Sequence, residues 1–238
     1  MSDKIVVILG GSGQIGSSIA QSLSGNYKPF LIGRNSDRLK KISSHLLCNY
    51  SEGDINDMES IEKCFKKIDG KICGFAYCIG SIDLKSIFNA SKKDFLESYN
   101  INLIGAIESL KLILSQLIIN KGSILFFSTV AAKKGFINHS IISSSKGAIE
   151  GLTVSLAAEL SPKVRVNCIS PSLVNSGMSK RIISNPKIEE GIAKKHPIPR
   201  IGQGSDFGPL GAMLLTDKSS WITGQIFNID GGRSTISK

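Results

Sequence analysis

The sequence lacks any uninterrupted apolar run of about 18 residues, the minimum for a helix that crosses a membrane. Positions 1–4 (MSDK) carry neither the basic nor the apolar segment of a secretion signal. Cysteine is scarce, and its five occurrences show neither metal-ligand nor disulfide-framework spacing: Cys48, Cys64, Cys73, Cys78 and Cys168. We therefore expect free thiols in a reducing compartment, a cytoplasmic location, no bound metal and no membrane contact.

Acidic residues are also few, at 19 against 29 lysines and arginines, which gives a formal net charge of +10. Such an excess suits an anionic partner, including nucleic acid. The basic residues are spread thinly along the chain, however, and the aromatic residues, 6% of the total, are not interleaved with them. We expect no nucleic-acid binding, and we attribute the charge to solvated helix faces and to attraction of an anionic cofactor.

Short apolar runs alternate with segments of helical periodicity along the whole chain. The strand-like runs cover 5–9, 29–33, 72–79, 122–127, 164–169 and 225–229. The helical segments cover 36–47, 57–68, 92–119, 143–160 and 207–215, whereas 172–200 has no regular pattern. This alternation, in a chain of 238 residues of which 41% are hydrophobic, predicts one α/β domain over 1–238. Its core is expected to be a doubly wound parallel sheet of the Rossmann type with helices on both faces.

The stretch 4–16, KIVVILGGSGQIG, places a glycine-rich turn between a buried strand and the start of a helix. Glycines let the backbone approach a diphosphate, while the free N–H groups and the dipole of the helix attract its negative charge. The turn therefore predicts a dinucleotide site; the alternative is a structural turn in some other α/β protein. The candidate cofactor-binding residues are Gly10, Ser12, Gly13, Gln14, Ile15 and Gly16.

The second apolar run ends at Gly33 and is followed by Arg34, 18 residues after Gly16. In dinucleotide folds an acidic residue here accepts from the 2′-hydroxyl of NAD, whereas an arginine accommodates the 2′-phosphate of NADP. Arg34, Asn35 and Arg38 form a cationic group without an acid at the first position. We therefore expect NADP(H) to be preferred over NAD(H); the alternative is that Arg34 is a surface arginine that opens the next helix.

Further motifs follow in a fixed order. They are Asp54-Ile55, INLIG at 101–105, FFSTVAA at 126–132, SSSKGAIEGL at 143–152, RVNCISP at 165–171 and WITGQIFNIDGG at 221–232. Together with the glycine-rich turn, they resemble the short-chain dehydrogenase/reductase family over nearly the whole chain. The resemblance implies a homodimer or homotetramer, with the cofactor over the C-terminal edge of the sheet and a small-molecule substrate beside it.

The catalytic unit of that family is an Asn, a Ser, a Tyr and a Lys. On this resemblance Asn102 corresponds to the Asn, Thr129 keeps a hydroxyl at the Ser position, and Lys146 corresponds to the Lys. The Tyr position, four residues before Lys146, is Ile142, which cannot transfer a proton, so the chain resembles an atypical member of the family. The resemblance also assigns cofactor contacts to Asp54, Ile55, Gly80, Lys146, Pro171 and Val174, and it places Ser172 where the family has a glycine.

Three residues are candidates for the missing proton donor. His139 lies seven residues before Lys146, the spacing of Tyr and Lys in the enoyl-reductase branch of the family, but it is also interpretable as a polar loop residue. Lys146 can donate directly if burial lowers its pKa, or it can simply hold the cofactor ribose. Thr129 can bind a carbonyl, but it is a poor acid and can instead cap local backbone.

Three functions therefore stay open. The first is an NADP(H)-dependent oxidoreductase with altered acid–base residues, acting on a small carbonyl compound, alcohol or enone. The second is a nucleotide-binding or regulatory protein that has lost turnover, and the third is a lyase, isomerase or cyclase on the same fold. Retention of Asn102, Thr129 and Lys146 favours the first. The family shapes its substrate pocket with segment 172–200, whose apolar residues predict either a lid or a pair of helices packed on the sheet.

Overall fold

The computed structural model describes residues 4–236 and, within them, a seven-stranded sheet in which neighbouring strands are parallel. The strands are β1 Lys4–Leu9, β2 Tyr27–Gly33, β3 Asn49–Glu52, β4 Lys71–Tyr77, β5 Ser123–Phe127, β6 Arg165–Pro171 and β7 Ile226–Ile229. Their order across the sheet is β3-β2-β1-β4-β5-β6-β7. The predicted doubly wound Rossmann-type α/β sheet is confirmed.

Helices cover both faces of this sheet. In the described part of the chain they are α1 Gln14–Ser22, α2 Ser36–Leu46, α3 Met58–Phe65, α4 Lys92–Tyr99, α5 Gly105–Lys111, α6 Leu114–Ile119, α7 Ser140–Leu160, α8 Pro186–Ala193 and α9 Gly208–Leu215. Helices α1, α2 and α9 bury apolar residues against one face, and α3, α5, α6 and α7 do so against the other. No helix among residues 4–236 is both long and apolar enough to span a membrane.

Strand β1 shows why its sequence is apolar without alternation. Ile5, Val7 and Leu9 pack into the core on the α7 side, whereas Val6 and Ile8 pack into the core on the α1 side. Successive side chains of a strand point to opposite faces, so a strand covered by helices on both sides needs apolar residues at every position.

The chain reverses its direction of winding at β1. This strand pairs with β2 on one side and β4 on the other, so Leu9 lies opposite both Ile32 and Tyr77. Connections that leave β1 and β4 in opposite directions open a crevice at the C-terminal ends of the strands, which is where ligands bind in such sheets. The glycine-rich turn that follows Leu9 therefore lies at this crevice.

Three local expectations differ from the structure. The helix predicted over 92–119 is interrupted by a π-helical segment, Asn100–Ile104, and breaks again between α5 and α6. The segment 172–200, whose sequence shows no regular pattern and predicts either a lid or a pair of helices, contains one short helix, α8, which starts at a proline and is capped by Asn185. Strand β3 has only four residues and too few apolar ones to stand out in the pattern.

Candidate active site

The glycine-rich turn is held against the end of β4. Gly10 has a φ of +80°, and a Cβ there would lie 2.8 Å from the carbonyl carbon of Cys78. A Cβ on Gly16 would lie 2.5 Å from the Gly10 oxygen. Both positions therefore require glycine for lack of space, and Gly10 also for its backbone conformation.

Helix α1 starts in this turn with its N-terminus open. Gly13 is the N-cap, no side chain caps the helix, and its first turn contains no acidic residue. The first N–H groups of a helix have no partner within the helix and carry the positive end of its dipole. This open backbone cradle, bounded by Ser12, Gln14 and Ile15, fits the diphosphate of a dinucleotide.

The expected adenine end lies where β2 ends. Arg34 and Arg38 are exposed there. The glycine-rich turn lies next to the end of β2, because the Ser12 hydroxyl is 3.1 Å from the position that a Cβ on Gly33 would occupy. Asn35 is the N-cap of α2, because its Oδ1 accepts a hydrogen bond from the Arg38 N–H at 2.8 Å. The side-chain carbonyl oxygen of Asn35 is therefore already used as the cap of α2.

The two residues after β3 have local structural contacts. Asp54 Oδ1 accepts hydrogen bonds from the backbone N–H and the side-chain amide of Asn56, at 3.0 and 3.2 Å. Ile55 is buried in the core and packs beside Gly105, where a Cβ would lie 2.5 Å from its Cγ1. These two residues lie at the same edge of the sheet as Arg34.

Asn102 sits at the centre of a buried polar cluster. Its Nδ2 donates to Ser81 Oγ at 3.1 Å and to the Ser98 oxygen at 3.0 Å, and its Oδ1 accepts from the Ser81 N–H at 3.2 Å. The Ser98 hydroxyl also lies 2.9 Å from that of Ser145 on α7. The cluster therefore links the π-helical segment to the loop after β4 and to the helix that carries Lys146.

Lys146 lies beside this cluster, on α7. Its side chain is buried, and its Nζ donates to the carbonyl oxygen of Phe127, the last residue of β5, at 2.9 Å. Burial lowers the pKa of Lys146 to about 8. A Cβ on Gly80 would lie 3.0 Å from Asn102 Oδ1 and 3.5 Å from Lys146 Nζ, so these two polar groups meet at Gly80.

Thr129 and Ile142 complete the set of positions predicted for catalysis. Thr129 follows β5 by two residues and caps the 3₁₀ turn Val130–Ala132, with Oγ1 accepting from the Ala131 N–H at 3.3 Å. Ile142 is 4% exposed and lies one helical turn before Lys146, as part of the buried apolar core.

His139 borders an open cavity of about 570 Å³. The loop before α4 contributes Ser86 and Ile87 to its wall, and the chain from Ala131 to His139 contributes most of the rest. His139 is the N-cap of α7, and its Nδ1 lies 2.7 Å from the Ile137 oxygen. Its other ring nitrogen, Nε2, is the one that is left for a ligand in the cavity.

The structure thus brings Gly80, Asn102 and Lys146 to one place beside the glycine-rich turn, and Thr129 lies two residues after Phe127, whose carbonyl oxygen accepts from Lys146 Nζ. Arg34, Asn35 and Asp54 lie toward the β2–β3 end of the sheet, whereas Pro171 and Val174 lie at β6, where Val174 forms an isolated parallel bridge with Gly202. The sequence interpretation missed the serines that hold Asn102. It also missed Glu150, which is buried on α7 and accepts from Ser128 Oγ at 2.8 Å. The only sequence signal for these contacts was the need of a buried amide for partners.

The strand order and the glycine-rich turn after β1 define an α/β protein with the Rossmann-type fold of dinucleotide-binding proteins. A family model described as "Enoyl-(Acyl carrier protein) reductase" matches residues 12–234. Carbonyl reductase family member 4 of Danio rerio is 29% identical over 238 residues, which cover 96% of this chain and 97% of that protein. The 3-oxoacyl-[acyl-carrier-protein] reductase of Rattus norvegicus is 28% identical and covers 97% of this chain and 98% of its own.

Solved structures agree with this. The Cj0485 dehydrogenase superposes with a TM-score of 0.90 at 28% identity, covering 99% of this chain and 95% of its own. A variant of actinorhodin polyketide ketoreductase, in a structure with NADPH, superposes with a TM-score of 0.90 at 20% identity, covers 98% of both chains and shares the fold. The protein belongs to the short-chain dehydrogenase/reductase family and is an oxidoreductase of that type.

Proposed function

We propose that this protein is an NADP(H)-dependent oxidoreductase that acts on a small carbonyl compound, alcohol or enone at the C-terminal edge of the sheet. The observation that carries the proposal is the meeting of Asn102 Oδ1 and Lys146 Nζ at Gly80. This meeting point lies two residues after Cys78, against which the glycine-rich turn packs. A cradle for a diphosphate and a buried ammonium group therefore lie side by side, and together they can bind and orient a nicotinamide cofactor.

When bound, the nicotinamide supplies or accepts the hydride. Glycine-rich backbone at Gly10, Gly13 and Gly16 would hold the diphosphate, and Lys146 Nζ would hold the ribose hydroxyls. Asn102 keeps the π-helical segment and the loop after β4 in register with Lys146. The Thr129 hydroxyl, which accepts a backbone hydrogen bond, retains its own proton for the substrate oxygen.

The proton must come from a group other than Ile142. Two candidates have support from the structure: His139 borders the open cavity, and the pKa of about 8 for Lys146 suits proton transfer near neutral pH. We expect His139→Gln and Lys146→Arg to separate them in pH–rate profiles of carbonyl reduction. The proton donor is the residue whose replacement removes the ionisation from the pH profile of kcat/KM or shifts its apparent pKa. If neither variant changes that ionisation, a water molecule is the donor.

The preference for NADP(H) is supported by the exposed cations at the end of β2 and by the absence of an acid at position 34. A titration of the protein with NADPH and with NADH, followed by nicotinamide fluorescence, needs no substrate. We expect tighter binding of NADPH. Arg34→Asp should weaken NADPH at least about tenfold, which corresponds to about 1.4 kcal/mol, and leave NADH nearly unchanged.

Lys40→Asp is the matched control, because it makes the same charge change at another exposed position of α2. Equal loss of NADPH affinity in both variants would mean that Arg34 acts only through long-range charge. Failure of the wild-type protein to bind either cofactor would contradict the proposed function altogether.

Loss of turnover with retained binding is the second candidate function, and burial of Ile142 at the Tyr position is the observation that favours it. If turnover has been lost, NADPH binds, but no carbonyl compound in a broad panel is reduced.

The assembly implied by the family resemblance is likewise a proposal. It is supported by exposed apolar side chains on α4, in the π-helical segment, at the end of α5 and on α7: Leu96, Ile104, Leu112 and Val154. Analytical ultracentrifugation tests it, since a monomer would contradict it. A cytoplasmic location is supported by the five unpaired cysteines.

A further inference from the structure

A serine and a buried histidine form a hydrogen-bonded pair just beyond the end of β6. Ser172 Oγ lies 2.8 Å from His196 Nε2, and His196 Nδ1 lies 3.0 Å from the carbonyl oxygen of Ile192. His196 is 2% exposed, whereas Ser172 is partly accessible. Neither side chain is assigned a role in hydride transfer above, and Ser172 lies between Pro171 and Val174, which the resemblance assigns to the cofactor.

The hydrogen bonds fix the direction of the pair. A carbonyl oxygen can only accept, so the Ile192 contact places the proton of the neutral imidazole on His196 Nδ1. His196 Nε2 is then an acceptor, and the Ser172 hydroxyl must donate to it. Burial lowers the pKa of His196, which favours this neutral form. A nucleophile, a base and a group that orients the base are thus aligned as in nucleophilic catalysis.

The pair borders a partly open cavity with room for a small acyl group. The cavity has a volume of about 250 Å³, and Leu173, Arg200 and Asp230 also line it. Among residues 4–236, no acceptor takes the backbone N–H of Leu173, the residue that follows the serine. In α/β-hydrolases the N–H of the residue after the nucleophilic serine is one of the groups that stabilise the oxyanion.

Charged groups on the neighbouring loop act on the imidazole in opposite directions. The Asp230 carboxylate raises the pKa of His196, and the Arg233 guanidinium lowers it. Asp230 is held in place by the N–H groups of Gly232 and Ser234, both at 2.8 Å. Its negative charge would therefore stabilise the imidazolium that forms when His196 takes up the serine proton.

We propose that Ser172 and His196 form a second site, which cleaves esters or thioesters of short acyl groups by acyl transfer to Ser172. Ser172 Oγ bonds to the acyl carbon while its proton passes to His196 Nε2. The bond from that carbon to the alkoxy or thiolate group breaks, and the leaving group takes the proton from His196. Water then attacks the acyl-serine, with His196 again accepting a proton and returning it to Ser172, and releases the carboxylic acid.

The test uses the full-length protein and diisopropyl fluorophosphate, followed by intact-mass spectrometry and peptide mapping. We expect one phosphoryl adduct, on Ser172. His196→Gln should slow its formation at least about 100-fold, because loss of a general base typically costs 10²–10⁴ in rate. His45→Gln is the matched control, since His45 is exposed in the last turn of α2.

Hydrolysis of p-nitrophenyl acetate provides a second readout. Ser172→Ala should abolish the protein-dependent rate, while Ser220→Ala, at an exposed serine, should retain it. Wild-type protein without an adduct on Ser172 would overturn the proposal, whether or not the variants fold. So would a folded Ser172→Ala variant that hydrolyses the ester as fast as the wild type.

The outcome is independent of the oxidoreductase proposal. NADPH binding is measured on the same preparations, so a labelled Ser172 in a protein that binds no cofactor would contradict the proposed function alone. A protein that binds NADPH but leaves Ser172 unlabelled would contradict the acyl-transfer site alone. In that case the Ser172–His196 bond serves only to fasten the segment after α8 to the end of β6.

Discussion

Replacement of Ile142 by tyrosine tests whether this site lacks only a proton donor. Ile142 precedes Lys146 by one turn of α7, and residues four apart in a helix lie on the same face. A phenol at position 142 would therefore project along the face that carries Lys146. The ammonium group nearby would favour the phenolate and lower the pKa of the new tyrosine.

The expected cost in folding stability is small enough for the expected gain in rate to be measured. Ile142 is 4% exposed, so a ring added there overpacks the core at a cost of about 1–3 kcal/mol. General acid–base catalysis contributes roughly 10²–10⁴ in rate, which is about 2.7–5.4 kcal/mol of barrier. A domain with a typical stability of about 5–15 kcal/mol survives such a cost.

The assay is NADPH oxidation with a broad panel of small ketones, aldehydes and enones, alongside urea unfolding. Ile142→Phe is the matched control, because it adds the same ring without the hydroxyl. We expect both variants to lose similar stability, and only the tyrosine variant to reduce carbonyl compounds faster than the wild type. Equal activity of the two variants over the whole panel, with NADPH still bound, would refute the view that the missing phenol limits the reaction.

The remaining predictions concern stability. Burial lowers the pKa of Lys146 to about 8 from an unfolded value of 10.5, so the unfolded chain binds more protons between these values. The quantity to measure is the free energy of unfolding of the wild type minus that of Lys146→Met. This difference should rise by up to about 3 kcal/mol between pH 8 and 10.5 and stay constant below pH 8. A decrease of the difference between pH 8 and 10.5 would contradict the burial argument. Asn102→Ala should cost about 2–4 kcal/mol in urea unfolding, because it leaves a buried cluster unsatisfied, whereas Asn228→Ala, at an exposed amide, should cost under about 0.5 kcal/mol. Gly204→Ala should lower the melting temperature, because its Cβ would lie 2.3 Å from the backbone oxygen of Gln14 in the glycine-rich turn. Gly191→Ala, in helix α8, should raise the melting temperature slightly, because no atom lies within 4 Å of its Cβ. A Gly204→Ala variant that melts at a higher temperature than Gly191→Ala would contradict this geometry.

The sheet was predictable because its strands are buried on both faces. β1, β5 and the inner part of β4 are apolar at nearly every position, and such runs bounded by glycine or serine are visible in sequence alone. Strand β3 escaped notice because it is a four-residue edge strand, NYSE, with one buried side chain. Edge strands need few apolar residues, so their sequences look like those of loops.

The break in the predicted helix over 92–119 has a different origin. An apolar pattern reports which face of a helix is buried, but it does not report one extra residue in a turn. The π-helical segment accompanies the contacts that Asn102 makes with Ser81, which lies 21 residues earlier in the chain, and with Ser98. Those contacts depend on the packing of the loop after β4, and no local pattern encodes them.

In the candidate site, too, local features could be predicted from the sequence and contacts between distant segments could not. The glycine-rich turn could be identified from sequence, because its glycines are required by backbone geometry that any dinucleotide fold repeats. The contacts that tie Asn102 to Ser81, Ser98 to Ser145 and Ser172 to His196 could not, because they join residues 21 to 47 positions apart. Ser172 stood out only as a departure from a glycine, and nothing in the sequence indicated that a histidine 24 residues later would meet it.

Diphosphate binding and proton transfer differ in how many substitutions each can tolerate. Diphosphate binding is distributed over several backbone N–H groups and glycines, whose loss would also break the contact between the turn and β4. Proton transfer rests on one side chain, and the residue now at that position packs into the core without any unsatisfied polar group among the described residues. A single substitution can therefore remove the usual proton donor while the fold and the cofactor cradle stay intact. Binding and turnover are for this reason separate properties of this chain, and a measurement of one does not stand for the other.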